Sequence, residues 1–212
     1  MKKVSALMAL LISGSAVFAQ GAKVMNAYNY LSDGEFIKAI EQIEPATEHE
    51  KTKYDGKTWY YRGRIYEQIY FSEDVKYAEL KDGSLLKAIE SYEKAKELGS
   101  KRISMNELND RYIHLSALHR LESANKVIEL NPNSADAYKN RGYAKFDLGD
   151  YIGAIQDNNK AIELDPSDAL AYYNRGNAKL LLGYRKDGCL DLSKAGELGQ
   201  MEAYDSIREY CQ

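Results

Sequence analysis

The chain has 212 residues, a formal net charge of −3, 29% charged and 44% hydrophobic residues, two cysteines and three histidines. A charge this close to neutral excludes a nucleic-acid binder that works through a broad basic surface, and three prolines with fifteen glycines exclude a collagen-like or low-complexity chain. Both cysteines lie near the C-terminus with no histidine beyond them, which excludes a four-ligand zinc finger.

The first element in chain order is an address. Met1, Lys2 and Lys3 give a positive start, and an apolar run broken only by Ser and Gly follows from Val4 to Phe18. Val17-Phe18-Ala19 then offers small or permissive side chains where a signal peptidase reads, so residues 1–19 are expected to be a cleaved secretory signal. The run is shorter than the roughly 20 apolar residues of a spanning helix. No cysteine stands at the cleavage site to carry a lipid. Removing residues 1–19 leaves 27 basic against 32 acidic residues, a net charge of −5. The expected location is periplasmic or secreted, with no membrane span after cleavage.

Three segments follow that are partial copies of a unit recurring in full over residues 135–202. Tyr30, Gly34-Glu35-Phe36 and Ala39 suggest a weak copy within about 22–53, its recognisable part running from about Ala22 to Pro45. Trp59, Gly63 and Tyr66, then Ala88, Tyr92, Ala95 and Leu98, suggest a second over 56–101. Gly63 to Ala88 spans 25 residues where Gly142 to Ala154 spans 12, so this copy carries 13 extra residues within 68–83. That insertion holds Tyr70, Phe71, Tyr77 and Leu80, too apolar for a purely solvated loop. Its position, over a groove or in a longer hairpin, is open. Residues 102–134 end like a repeat in Val127-Ile128-Glu129-Leu130-Asn131-Pro132 but lack the earlier glycines, as a degenerate repeat or a plain helical bridge would.

Residues 135–168 and 169–202 are offset by 34 and agree at 15 of 34 positions, against about two by chance. Tyr138, Arg141, Gly142 and Lys145 follow helical spacing, and Gly149-Asp150 punctuates. Tyr151, Ala154, Ile155, Asn158, Ala161 and Ile162 form a second stripe, ended by Asp165-Pro166. One such helix pair leaves an apolar face uncovered and is stable only against neighbours.

Residues 135–168 resemble a complete tetratricopeptide repeat through Tyr138, Gly142, Gly149-Asp150-Tyr151, Ala154, Ala161 and Leu164-Asp165-Pro166. Residues 169–202 resemble the same unit through Tyr172, Gly176, Gly183 and Ala195, depart from it at Arg185 and Gly188, and end in Gly199-Gln200, as a last repeat. The resemblance implies an all-α fold, a right-handed α-solenoid of stacked helix-turn-helix units, with residues 203–212 as a C-terminal capping helix. Cys189 lies on the inward stripe of the last repeat, and Cys189 and Cys211 are equidistant from residue 200. An antiparallel helix pair would bring them to one height, so a disulfide is expected in an oxidising compartment.

No Gly-rich phosphate loop, nucleophile elbow or zinc-protease motif is present. His49, His114 and His119 are scattered, so no metal site, cofactor or catalytic set is expected. In tetratricopeptide-repeat proteins the first helices of successive repeats line a concave groove for a peptide or a partner's helix. By that resemblance the groove here holds Tyr60 and Arg64, then Lys139, Asn140 and Tyr143, then Tyr173, Asn174 and Asn177. Asn140 and Asn174 match the family's carboxylate-clamp asparagine, or else make structural bonds within the repeat. The clamp's preceding lysine is replaced by Asp136 and Leu170, so a clamp on a peptide C-terminus is not expected. Tyr66, Tyr92, Tyr138, Tyr151 and Tyr172 are assigned to the core. The expected function is a non-catalytic scaffold of the cell envelope that binds a protein or peptide in the groove. The alternative is an envelope glycan-binding module using the same Tyr and Asn side chains.

Overall fold

The computed structural model describes residues 21–99 and 103–211; the expected signal segment, residues 1–19, lies outside the described residues. The described residues are helical throughout and contain no strand. The helices are α1 (residues 21–32), α2 (Phe36–Glu48), α3 (Gly56–Phe71), a 3-10 helix (Val75–Leu80), α4 (Ser84–Leu98), α5 (Met105–Leu130), α6 (Ala135–Asp147), α7 (Tyr151–Leu164), α8 (Ala169–Leu181), α9 (Arg185–Glu197) and α10 (Glu202–Tyr210). The fold is the expected all-α array of helical hairpins. It divides into two compact units at Leu115 and Ser116.

In the first unit α3 packs on both α2 and α4. Its core is built from large side chains: Ile43, Ile65, Tyr66, Ile69, Tyr92, Leu108 and Leu115 are all buried. Gly63 lets Tyr92 lie against the α3 backbone, since a Cβ there would stand 2.6 Å from the ring. Pro45 lies inside α2, which continues to Glu48 with one backbone hydrogen bond forgone. The insertion extends α3 to Phe71 and then forms the 3-10 helix. Tyr77 is 3% exposed. Its ring lies 4.7 Å from that of Phe36, its hydroxyl donates to the Gly34 carbonyl at 2.5 Å, and it accepts from the Phe36 N–H at 3.2 Å. The inserted segment thus fastens the turn between α1 and α2, while Phe71 stays exposed.

Residues 105–130, within the segment read as a degenerate repeat or a plain helical bridge, form one continuous helix, the second of those two forms. The physical reason is composition: this stretch has no glycine or proline to break it.

In the second unit α7 packs on α6 and α8, α9 on α8, and α10 on α9. Each first helix starts on a side-chain cap, Ser134 accepting from the Ala137 N–H and Asp168 from those of Leu170 and Ala171. Each ends on a left-handed glycine, Gly149 and Gly183. There the Asp150 and Tyr184 N–H groups return to the carbonyls of Lys145 and Lys179, satisfying the last turn. The buried apolar side chains here are almost all small: Ala137, Ala144, Ala154, Ala161, Ala171, Ala178, Ala195 and Ala203, with Leu192 the large exception. Helices meet closely, and each alanine removes little apolar area from water. The tyrosines assigned to the core follow this division: Tyr66 and Tyr92 are buried, whereas Tyr138, Tyr151 and Tyr172 are only half-buried.

What joins neighbouring helices beside the alanines is a recurring arginine. Arg141 donates to both oxygens of Asp157 in α7, at 2.9 and 2.7 Å, and to Asn125 in α5 at 3.1 Å. Arg175 repeats this with Asp191 in α9, at 2.8 and 2.6 Å, and with Asn159 in α7 at 2.7 Å. Lys145 and Lys179 add a second cation to each buried aspartate at 2.8 Å. Arg62 holds the same place in the first unit, joining Glu44 of α2 to Ser91 of α4.

Candidate functional site

The expected groove residues fall into three environments. Tyr60 and Arg64 belong to the first unit and are engaged internally. Tyr60 is 8% exposed; its hydroxyl donates to Glu107 at 2.7 Å and accepts from Arg64 at 3.3 Å. Arg64 also lies 3.8 Å from Glu67. That carboxylate is buried, takes two 2.8 Å bonds from Arg111, and accepts from the Tyr92 hydroxyl at 2.5 Å. Burial, with the Glu67 charge beside it, pushes the Tyr92 hydroxyl far up from its ordinary pKa. Burial and the bond to Glu107 raise Tyr60 as well, and the same bond holds Glu107 below the usual carboxylate range. These six side chains form one polar network in which the Arg64 Nε is left without a hydrogen-bond partner, and Tyr60 and Arg64 each also line a cavity of the first unit. A buried glutamate on α3 needs cations, and it draws the groove-facing side chains onto itself.

Lys139 is likewise occupied, between Asp136 and Asp168 at 2.7 Å each. Burial works against its charge, but the two carboxylates outweigh that and raise its pKa. Asn140 is exposed, and neither residue lines the cavity formed by the remaining four.

The remaining four come together. Tyr143, Tyr173, Asn174 and Asn177 line a cavity of about 420 Å³ with Phe146, Asp147, Leu180, Leu181 and Tyr210. The helices α6 and α8 lie side by side, so positions one repeat apart face the same space: 143 with 177, 146 with 180, and 147 with 181. The wall is mainly aromatic and aliphatic. Its one acid, Asp147, is neutralised by Arg120 at 2.8 Å, and the Arg120 guanidinium lies over the Tyr143 ring at 4.5 Å. The cavity therefore presents no uncompensated charge. Asn174 is 6% exposed, and its side-chain Nδ2 has no hydrogen-bond acceptor. A buried amide donor left unbonded costs about 1–3 kcal/mol.

Phe146, Asp147, Leu180 and Leu181 were missed because they sit one turn beyond the expected groove positions. Their signal was available: each is three or four residues on from Tyr143 or Asn177. Tyr210 had none, because α10 lies outside the repeat. Tyr210 is raised in pKa by the bond its hydroxyl makes to Glu209.

Cys189 and Cys211 form a disulfide with Cα atoms 5.8 Å apart, tying α9 to the end of α10. Among the described residues no three His, Cys, Asp or Glu side chains are grouped to hold a metal ion, and no helix is long and apolar enough to cross a membrane.

Comparison with known proteins agrees with the repeat. A family model described as a TPR repeat matches residues 142–183, and one described as a tetratricopeptide repeat matches residues 123–156. No curated protein matches the chain. Among solved structures the chain is similar to YrrB, described as a TPR protein with an unusual peptide-binding site (20% identity, 88% of this chain and 90% of that one, TM-score 0.43). It is also similar to MamA (22%, 84% and 96%, 0.39) and to the TPR2AB-domain:pHSP90 complex of yeast Sti1 (20%, 92% and 95%, 0.37). With two family models on residues 123–183, which include the helix pair α6–α7 and helix α8, that part of the chain carries tetratricopeptide repeats.

Proposed function

We propose that this protein is a non-catalytic interaction scaffold of the cell envelope, and that it binds an extended segment of a partner protein at the α6–α8 cavity. The observation that carries the reading is Asn174, a buried amide donor without an acceptor in the wall of an aromatic, uncharged cavity. A peptide supplies both complements, a large apolar side chain for Tyr143, Phe146 and Tyr173 and a carbonyl oxygen for the amide. Binding uses a preformed surface with little backbone movement. The disulfide supports an oxidising compartment, in keeping with the signal read at residues 1–19.

The test is selection of random peptides on the chain from Gln20 onward, purified oxidised, followed by affinity measurement on Tyr143→Ala/Asn177→Ala. Selected peptides should lose at least tenfold in affinity on the double variant, about 1.4 kcal/mol. Peptides that bind both proteins equally would refute the site. Failure of all peptides beside retention of envelope glycans, lost in the same variant, would replace the partner class by carbohydrate.

A further inference from the structure

We propose that the Cys189–Cys211 disulfide gates the α6–α8 cavity, so that ligand is held while the bond is oxidised and released when it is reduced. The inference rests on the reading of that cavity as the binding site. It begins from the fact that one wall, Tyr210, comes from the capping helix and not from a repeat.

Tyr210 is the last residue of α10 and directly precedes Cys211. The Tyr204 ring lies against Gly196 of α9, but it does so in the first turn of α10 and not at the Tyr210 end. α10 has nine residues, a length at which an isolated helix is marginal. Ala203, in its first turn, is its one buried side chain. Ile207 and Cys211 itself are only partly buried against the cluster of Leu192, Ala195 and Ala203. The ion pair of α10, Arg208 with Asp205, is exposed and lies within the helix, so it anchors nothing to α9. The covalent bond thus holds the turn that carries Tyr210.

The effect of losing it reaches both sides of the cavity. Tyr173 and Leu180 line the cavity and also pack against the cluster that α10 covers. Freeing α10 would remove Tyr210 and uncover the backs of two further wall residues. The bond can be reached, because Cys189 and Cys211 line a separate open surface cavity with Arg185, Lys186, Leu190 and Ser193. The reductant is a dithiol. Its thiolate attacks one sulfur and releases the other cysteine as a thiolate, giving a mixed disulfide. Its second thiol then displaces the remaining cysteine. Two electrons and two protons pass to Cys189 and Cys211, and the dithiol leaves as a disulfide.

The experiment titrates the chain from Gln20 with N-acetyl-phenylalanine amide, a neutral probe with one large apolar side chain and two carbonyl acceptors, following the Asn174 side-chain amide by NMR. It is run on oxidised protein, on protein reduced with dithiothreitol, on Cys189→Ser/Cys211→Ser, and on oxidised Tyr210→Ala. Amide exchange is recorded on each over 135–164 and 202–210. The gate requires a saturable Asn174 shift in the oxidised protein and at least tenfold weaker binding in the other three. It also requires faster exchange at 202–210 after reduction, with 135–164 unchanged. Equal affinity before and after reduction overturns the gate and leaves the cavity reading standing. Absence of any shift in the oxidised protein overturns both. Loss of protection over 135–164 as well marks the bond as a general staple and overturns the gate, and so does Tyr210→Ala binding like the unaltered protein.

Discussion

Replacing Arg141 by methionine probes whether the second unit is held together by its arginines or by its alanines. The side chain makes two charge-assisted bonds to Asp157 and one to Asn125, and Asp157 is only 5% exposed. Hydrogen bonds to charged groups contribute about 1.5–3 kcal/mol each. Stranding one member of a buried pair costs about 3–5 kcal/mol. Here Lys145 remains 2.8 Å from the same carboxylate and Arg141 is partly solvated, so the loss should come to about 3 kcal/mol. Lys145→Met removes one contact and leaves the fork intact, and should cost about 1 kcal/mol. Arg141→Met/Lys145→Met/Asp157→Leu removes the stranded charge and should recover most of the deficit. Urea unfolding followed by circular dichroism gives all three values. A loss under about 1 kcal/mol for Arg141→Met, or equal losses for the two single variants, would mean that helix packing alone carries the unit.

Further outcomes follow from the same geometry. Asn158 is fully buried, its Oδ1 has no donor, and Leu192 holds the equivalent place one repeat on. Asn158→Leu should therefore raise the urea midpoint, by about 1–2 kcal/mol, and a lowered midpoint would count against it. Tyr77→Phe should destabilise the first unit by about 1 kcal/mol and speed exchange of the Phe36 amide, whereas unchanged exchange there would show that the hydroxyl is not its acceptor. Because the bond from Tyr60 comes first in holding Glu107 below the usual carboxylate range, the stabilisation it gives is complete above the unfolded-state pKa and is lost as pH falls through the folded value. Tyr60→Phe should move the Glu107 carboxyl titration, read by carbon NMR, toward the ordinary value; an unmoved curve would assign the shift to Arg111.

The 34-residue period made the helices of residues 135–197 legible, because capping residues, left-handed glycines and small contact residues all recur at fixed offsets. It made half of the cavity legible for the same reason, since α6 and α8 present equivalent positions. What could not be read were contacts without a period. Tyr77 meets Gly34 and Phe36 across 43 and 41 residues, a pairing that depends on how an insertion folds back. Tyr210 reaches the cavity from a helix with no counterpart upstream. Tyr60 and Arg64 have the right register for a groove, but Tyr60 is bonded to Glu107, 47 residues on in α5, and Arg64 lies beside the buried Glu67, contacts that the register does not reveal. Cys189 and Cys211 were legible because an antiparallel pair about a turn is a local geometry.

The arginine staple also sets the grammar by which this array can lengthen or stop. Each arginine reaches 16 residues back to an asparagine and 16 forward to an aspartate, in Arg141 and again in Arg175. Duplicating or excising one 34-residue block therefore leaves every surviving arginine with both partners, and the array can change length without new chemistry at the seam. In the first unit Arg62 departs from the rule, reaching 18 residues back to Glu44 and 29 forward to Ser91. At the C-terminal end the rule is cancelled in writing: Glu209 stands where the next arginine would fall and Ser193 where its asparagine would be. The helix α10 therefore carries a carboxylate at the place of the cation and does not continue the staple.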